Sequence, residues 1–252
     1  MVVIDMPFVE HSRQDDVVTL ELNRPDKRNA LNPELIASLQ DAITTVEQDN
    51  TIRVLILGGR GPAFCSGMDL QGVLDDPVAM GGMLQDLART TLRIRALPIP
   101  TIARVHGAAI GGGCGLCAVT DLAISHPEAK LGYPEVTLGV CPAVVAPWLT
   151  RKIGAGPARA LLLQGGQLSG TEAASKGLVD ELVPEPELEM AVTLLAKKLA
   201  GGGPDAIAVT KQWLNELDGS LEDGVLSRAA DLSAQVIASQ EAQGRLRALF
   251  GD

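Results

Sequence analysis

Thr101-Ile102-Ala103-Arg104-Val105-His106-Gly107-Ala108-Ala109-Ile110-Gly111-Gly112-Gly113-Cys114-Gly115 is the stretch on which both the fold and the chemistry of this chain turn. Its first five residues form an apolar strand candidate. Five glycines follow, an apolar segment leads to Asp121, and Gly132-Tyr133-Pro134-Glu135 closes the region. Glycines this dense let backbone N–H groups approach a ligand with no Cβ in the way. A helix starting among them adds unpaired N–H groups and the positive end of its dipole. The stretch therefore predicts a site for negative charge, either a standing phosphate or a transient oxyanion.

Upstream, Val17-Val18-Thr19-Leu20-Glu21-Leu22 reads as a strand. The turn Asn23-Arg24-Pro25-Asp26-Lys27-Arg28-Asn29 carries three cations. Asn32-Pro33-Glu34 then supplies an N-cap, a proline at the first helical position and an acid in the first turn. Leu35, Ile36, Leu39, Ile43 and Val46 follow at helical spacing. Arg53 to Leu57 is a buried strand stopped by Gly58-Gly59. Val17 to Gly59 is thus a strand–helix–strand unit, which predicts a parallel sheet.

Beyond it lie the irregular loop Arg60 to Leu70 and a segment from Gly72 to Gly82 read as mobile. A helix over Met83 to Leu97 stops at Pro98. Asp121 to Ser125 and Lys130 to Gly132 are further strand candidates. After about Pro142 the composition shifts to helices: Trp148 to Ile153, Pro157 to Gln164, Thr171 to Lys176, Pro186 to Ala200, Ala206 to Leu217, and a long one from Leu221 to Phe250. Leu188, Ala191, Leu194, Leu195 and Leu199 form one stripe. Val225, Ala229, Leu232, Val236 and Ile237 form another, which needs a partner to cover it.

Aromatic residues make up 2% of the 252, so the core must be aliphatic. The net charge of −10 argues against general nucleic-acid binding, which needs a basic footprint. Cys114 and Cys117 form a CxxC without the second ligand pair that a zinc site wants, so they read as small buried thiols, and no metal is expected. With no apolar run of membrane-spanning length and no leader pattern, a cytoplasmic protein with reduced thiols is expected.

Gly113-x-Gly115-x-x-Ala118 matches the dinucleotide fingerprint, but it follows the third strong strand rather than the first, and Glu135 stands behind Pro134 rather than at a clear strand end. Tight helix–sheet packing is the plain alternative. A second loop, Phe64-Cys65-Ser66-Gly67-Met68-Asp69, also follows a buried strand. In a parallel sheet both loops emerge at the carboxyl edge, where two N–H groups could converge on one carbonyl oxygen.

Here the chain resembles the crotonase, or enoyl-CoA hydratase/isomerase, superfamily. Asn23 to Leu31 is similar to its NRP…NAL segment, which lies along coenzyme A. Ala63 to Leu70 and Val105 to Gly113 are similar to its two oxyanion loops. Pro134 to Val140 and Ala173 to Val179 match later landmarks, so five segments agree in order. The resemblance implies a spiral of ββα units over residues 1–195 and a C-terminal helical oligomerisation region over 196–252. It also implies assembly as a homotrimer or a dimer of trimers, and an acyl-CoA substrate with no separate cofactor.

By the same resemblance, the backbone N–H groups of Met68 and Gly112 would hold the thioester oxygen. Glu135 would be a catalytic acid/base. Lys27, Arg28 and Ala30 would lie along coenzyme A, with a solvated turn as the alternative for the two cations. Ser66, Asp69, Leu70, Gly111 and Pro134 would flank the substrate, and Lys211 could reach the adenosine phosphate. The family's hydratases carry a first glutamate where this chain has Gly115, and their second is matched by Glu135, 20 residues on. Hydration needs a base for water and an acid for Cα, whereas a 1,3 proton shift needs one carboxylate. The missing acid moves the reading toward an isomerase of fatty-acid or related acyl-CoA metabolism, unless Asp69, Asp75 or Asp76 replaces it. A homologue that binds the thioester without turnover is the second hypothesis. A Ser66–His106–Asp69 hydrolase is disfavoured, because the GxSxG elbow is missing.

Overall fold

The hydrophobic spacing at Val17 to Gly59 builds the centre of the molecule. The structure, a computed structural model, describes residues 3–6, 8–71, 74, 76–221 and 223–250. An N-terminal hairpin of β1 (Val3–Met6) and β2 (Val9–Gln14) leads into β3 (Val17–Leu22). Helix α1 (Pro33–Gln48) starts where the sequence places it: the Asn32 side chain accepts from Leu35 N at 3.0 Å, and Pro33 opens the first turn. Its five expected apolar positions, with Ala42, are buried. Each larger side chain contributes about 1.5–3 kcal/mol before chain entropy is counted.

The chain continues through β4 (Val54–Gly59), α2 (Pro77–Ala96), β5 (Thr101–Arg104), β6 (Ala108–Ile110), α3 (Gly112–Val119), β7 (Leu122–Ser125) and β8 (Lys130–Gly132). Helices α4 (Ala146–Ile153) and α5 (Ala155–Gln164), β9 (Gln167–Ser169), α6 (Gly170–Ser175) and β10 (Glu181–Leu182) follow. The last elements are α7 (Leu188–Ala200), α8 (Pro204–Leu217), α9 (Asp223–Ile237) and α10 (Gln240–Phe250). One sheet runs β1-β2-β3-β4-β5-β7-β10, antiparallel at β1 to β3 and parallel from β3 to β10. A small second sheet pairs β6 with β8 and β8 with β9.

The period of two sorts β4 between two cores. Leu55 and Leu57 face the main core with α1, α2 and α3, while Val54 and Ile56 meet Ile102, Ile124 and the Leu188, Val192 and Ala196 face of α7. Among the described residues no helix is long and apolar enough to cross a membrane.

Several expectations need correction. Helix α2 begins at Pro77, capped by the Asp76 carboxylate, so Gly81 and Gly82 are helical rather than part of a mobile loop. Gly72, Val73 and Asp75 lie outside the described residues. The long C-terminal helix is two, divided near Ala238 and Ser239, with the Ser239 hydroxyl accepting from Ala242 N. The buried face of α9 is Leu226, Ala229, Ala230, Ser233 and Ile237, covered by α2 of the same chain; Val225 and Leu232 are exposed. A Cβ on Gly81 would lie 3.3 Å from Ala234 Cβ, so glycine lets the two helices close in. On α7, Leu194 points outward. Lys211 is buried: its Nζ donates to Asp121 Oδ2 at 2.7 Å and to Ile99 O at 2.8 Å, so it anchors α8 and is not placed for a phosphate.

Candidate active site

Two adjacent parallel strands, β4 and β5, send their following loops to the same edge of the sheet. There the loops pair. Phe64 N donates to His106 O (2.9 Å), Cys65 N to Ala108 O (2.9 Å), and Ile110 N to Cys65 O (3.0 Å). The turn after β3 lies on the other side. Ser66 N donates to Arg28 O (3.0 Å), Leu31 N to Gly67 O (2.7 Å), and Asp69 N to Leu31 O (2.8 Å). In such a parallel register the amide between two bonded positions turns away from its partner strand. Met68 is in that position. Gly112 is the first residue of α3, where helical geometry leaves N–H groups without internal acceptors. Neither Met68 N–H nor Gly112 N–H has an acceptor among the described residues.

Glycine makes this convergence possible at two points. Gly67 has φ +95°, and a Cβ there would stand 2.8 Å from Ile110 O. At Gly113 a Cβ would stand 2.3 Å from Cys65 O and 2.7 Å from Cys65 Cβ. Gly113→Ala should therefore push α3 off the first loop and spread the two donors. A misplacement of this size lowers kcat by about 10²-fold. Steady-state kinetics should show kcat falling more than KM rises; an unchanged kcat would contradict the packing.

Glu135 opens a one-turn 3-10 helix, Glu135–Leu138, directly after Pro134. A Cβ on Gly111 would lie 2.9 Å from Glu135 Oε1, so the carboxylate rests against the start of α3. Its Oε2 is buried with no hydrogen-bond partner. Burial pushes the pKa up to about 7, against a smaller lowering by its own backbone N–H.

Beside it lies a cavity of about 150 Å³. Met80, Leu84 and Leu87 of α2 form one wall, and Leu138, Val140, Val144 and Val145 another. Ser233 and Ile237 of α9 and Phe250 of α10 close it. Glu135 is its one carboxylate among the described residues.

Of the residues expected from sequence, Ser66, Met68, Leu70, Gly111, Gly112, Pro134 and Glu135 line this cavity. Lys27, Arg28, Ala30 and Asp69 do not. Lys27 and Arg28 are exposed at the rim, where their carbonyls accept from the Ser66 hydroxyl and Ser66 N. Asp69 Oδ2 accepts from Arg24 Nη1 at 2.7 Å, and the same nitrogen donates to Ala30 O. Asp69 is therefore held by a cation outside the cavity, Asp76 is engaged in capping α2, and Asp75 lies outside the described residues. His106 accepts no catalytic role from its surroundings: its Nε2 meets Gly61 O at 3.0 Å. Cys114 and Cys117 are buried free thiols with pKa values raised by burial.

Sequence reasoning missed Asn29 and the far wall. Asn29 is fully buried, and its Nδ2 donates to Arg60 O, Ala63 O and Phe64 O while Oδ1 accepts from Arg24 N. The signal was present, since asparagine tolerates the positive φ of +56° found there. No local pattern points to Ser233, Ile237 or Phe250.

The spiral sheet, the paired glycine loops and the acid beside them define a crotonase-type fold. A solved enoyl-CoA hydratase/isomerase from Mycobacterium paratuberculosis superposes with a TM-score of 0.88 at 25% identity, covering 97% of this chain and all of the other. The chain belongs to the enoyl-CoA hydratase/isomerase family, whose family model matches residues 12–247. A Thermus thermophilus protein whose name places it with the enoyl-CoA hydratases is 36% identical over 93% of this chain and 94% of its own length. The 1,2-epoxyphenylacetyl-CoA isomerase of Escherichia coli is 35% identical over 90% of this chain and 87% of its own. Both reaction names thus occur at nearly equal similarity, and only the residues of the site can separate them.

Proposed function

We propose that the protein binds an acyl-CoA thioester and moves a carbon–carbon double bond through an enolate, with Glu135 as its one proton carrier. Glu135 carries this reading: a carboxylate with one buried, unpartnered oxygen and a pKa near neutrality, resting against the start of α3. The thioester oxygen accepts hydrogen bonds from Met68 N–H and Gly112 N–H. Glu135 takes a proton from Cα of a 3-enoyl thioester, and negative charge collects on that oxygen. The resulting carboxylic acid returns a proton to Cγ, which leaves the 2-enoyl thioester. Each donor in such a hole is worth about 3–4 kcal/mol of barrier. At the rim, Lys27 and Arg28 stand where coenzyme A phosphates would pass.

Hydration is the weaker reading, because Asp69 and Asp76 are engaged elsewhere. Binding without turnover is disfavoured by the same unpartnered oxygen, which a purely structural acid would satisfy. On α8, Val209, Trp213 and Leu217 form an exposed apolar row. That row supports assembly as a homotrimer or dimer of trimers, which sedimentation of the purified protein would check.

The deciding experiment incubates the protein with 3-enoyl-CoA and 2-enoyl-CoA in D₂O. Mass spectrometry and proton NMR should show a shifted double bond with one deuterium gained at Cα or Cγ. Absence of both exchange and shift on every enoyl-CoA tried would overturn an enolate reaction.

A further inference from the structure

Gly115 and Val145 form a pair that the reaction named above does not itself explain. Gly115 N donates to Gly111 O at 2.9 Å, so the two residues are one helical turn apart on the same face of α3. That is the face against which Glu135 rests. A side chain at 115 would therefore project toward the cavity. It cannot, because Val145 stands in its path: an ideal Cβ on Gly115 would lie 2.5 Å from Val145 Cγ1 and 3.2 Å from Val145 Cβ. Val145 lines the cavity and Gly115, fully buried behind it, does not.

Val145 has little freedom to move. It is the residue on which α4 starts, with Ala146 N bonded to Pro142 O at 3.0 Å and Leu149 N to Val145 O at 3.1 Å. Branching at Cβ leaves its χ1 stiff. The neighbouring lining residues Leu138, Val140 and Val144 are apolar, and a held water needs two to four polar partners. Ser233, which closes the cavity from α9, already donates its hydroxyl to Cys141 O at 2.9 Å.

We propose that Val145 is a specificity-determining residue: its isopropyl group fills the seat that a second acid or its water would need, and so confines the site to one-carboxylate chemistry. The proposal rests on Glu135 being the acid/base. Hydration would put the oxygen of water on Cβ, one of its protons on the second carboxylate and the proton of Glu135 on Cα, and the two carboxyl groups would then re-equilibrate with solvent. The isopropyl group blocks the first of these events and leaves the proton shift untouched.

Three variants test this on 2-enoyl-CoA and 3-enoyl-CoA in D₂O, read as the ratio of 3-hydroxyacyl-CoA to double-bond-shifted product. Gly115→Glu alone should lower Tm by roughly 5 °C or more through overpacking, with no gain of hydrated product. Gly115→Glu with Val145→Ala should recover that Tm and raise the ratio by about 10²-fold. Val145→Ala alone should raise the ratio by a smaller factor, and it decides the matter should the double variant not fold. An unchanged ratio in both Val145 variants, or a gain in Gly115→Glu alone equal to that of the double variant, overturns the proposal. Deuterium exchange that survives in Glu135→Gln overturns the acid/base reading and this proposal with it. Exchange lost in Glu135→Gln with no hydration in the Val145 variants overturns the role of Val145 alone.

Discussion

Glu135→Gln should cost about 10³-fold in kcat for the double-bond shift while making the protein more stable above neutral pH. Both effects follow from one buried oxygen. In the unfolded chain the carboxyl titrates near its ordinary value of 4.5; in the folded site burial moves it to about 7. Between these values the native state holds more protons than the unfolded state, so stability falls as pH rises through that window. Above about 7 the full cost of a desolvated charge is in force. Glutamine has nearly the same shape and no charge. It should add about 2 kcal/mol at pH 8 and almost nothing at pH 4, measured by urea unfolding at both values. The rate of the native enzyme should rise with pH and level off above about 7, since the base is the ionised form. A variant that loses activity without this pH-dependent stabilisation would show that Glu135 is not the buried charge proposed.

Asn29→Ala should be the most damaging substitution outside the cavity. One side-chain amide ties the turn after β3 to three carbonyls of the Arg60 to Leu70 loop, and its oxygen takes the Arg24 N–H. Alanine leaves these buried groups unsatisfied, at a cost of about 3 kcal/mol or more. It also places a Cβ without polar compensation at φ +56°. Tm should fall by roughly 10 °C, and kcat should fall because Gly67 and Met68 lose their backing. Asn29→Gly separates the causes: glycine relieves the φ strain, so it should recover about 1 kcal/mol of the loss and no more. Full recovery in the glycine variant would assign the role to backbone conformation rather than hydrogen bonding.

Local grammar made much of the fold legible. The strand–helix–strand unit from Val17 to Gly59 could be read because a cap, a proline at the first helical position and a 3.6-residue period agree there. The two loops at the sheet edge could be placed because parallel strands send their carboxyl ends the same way. The hairpin strand β2 was not visible, since Val9-Glu10-His11-Ser12-Arg13-Gln14 is too polar to announce itself. The break between α9 and α10 carries neither glycine nor proline. The inward turn of Lys211 depends on Asp121, which is 90 residues away in sequence. Glu135 could be named from the sequence, but its missing partner and raised pKa are products of packing. Of the same kind is Val145, whose side chain meets Gly115 only once α4 has docked on α3.

The covering of α2 by α9 has a consequence for how the protein is made. Met80, Leu84 and Leu87 leave the ribosome long before the residues that enclose them, and at ordinary elongation rates the interval is on the order of ten seconds. Once β10 has followed, every strand of the parallel sheet is made while the apolar trough beside it still lacks the α9 and α10 residues that close it. The trough is the same surface that later receives an acyl chain in the proposed reaction. During synthesis it is equally suited to any hydrophobic segment nearby, so the last thirty or so residues act first as a stopper against misassembly and only afterwards as a wall of the site.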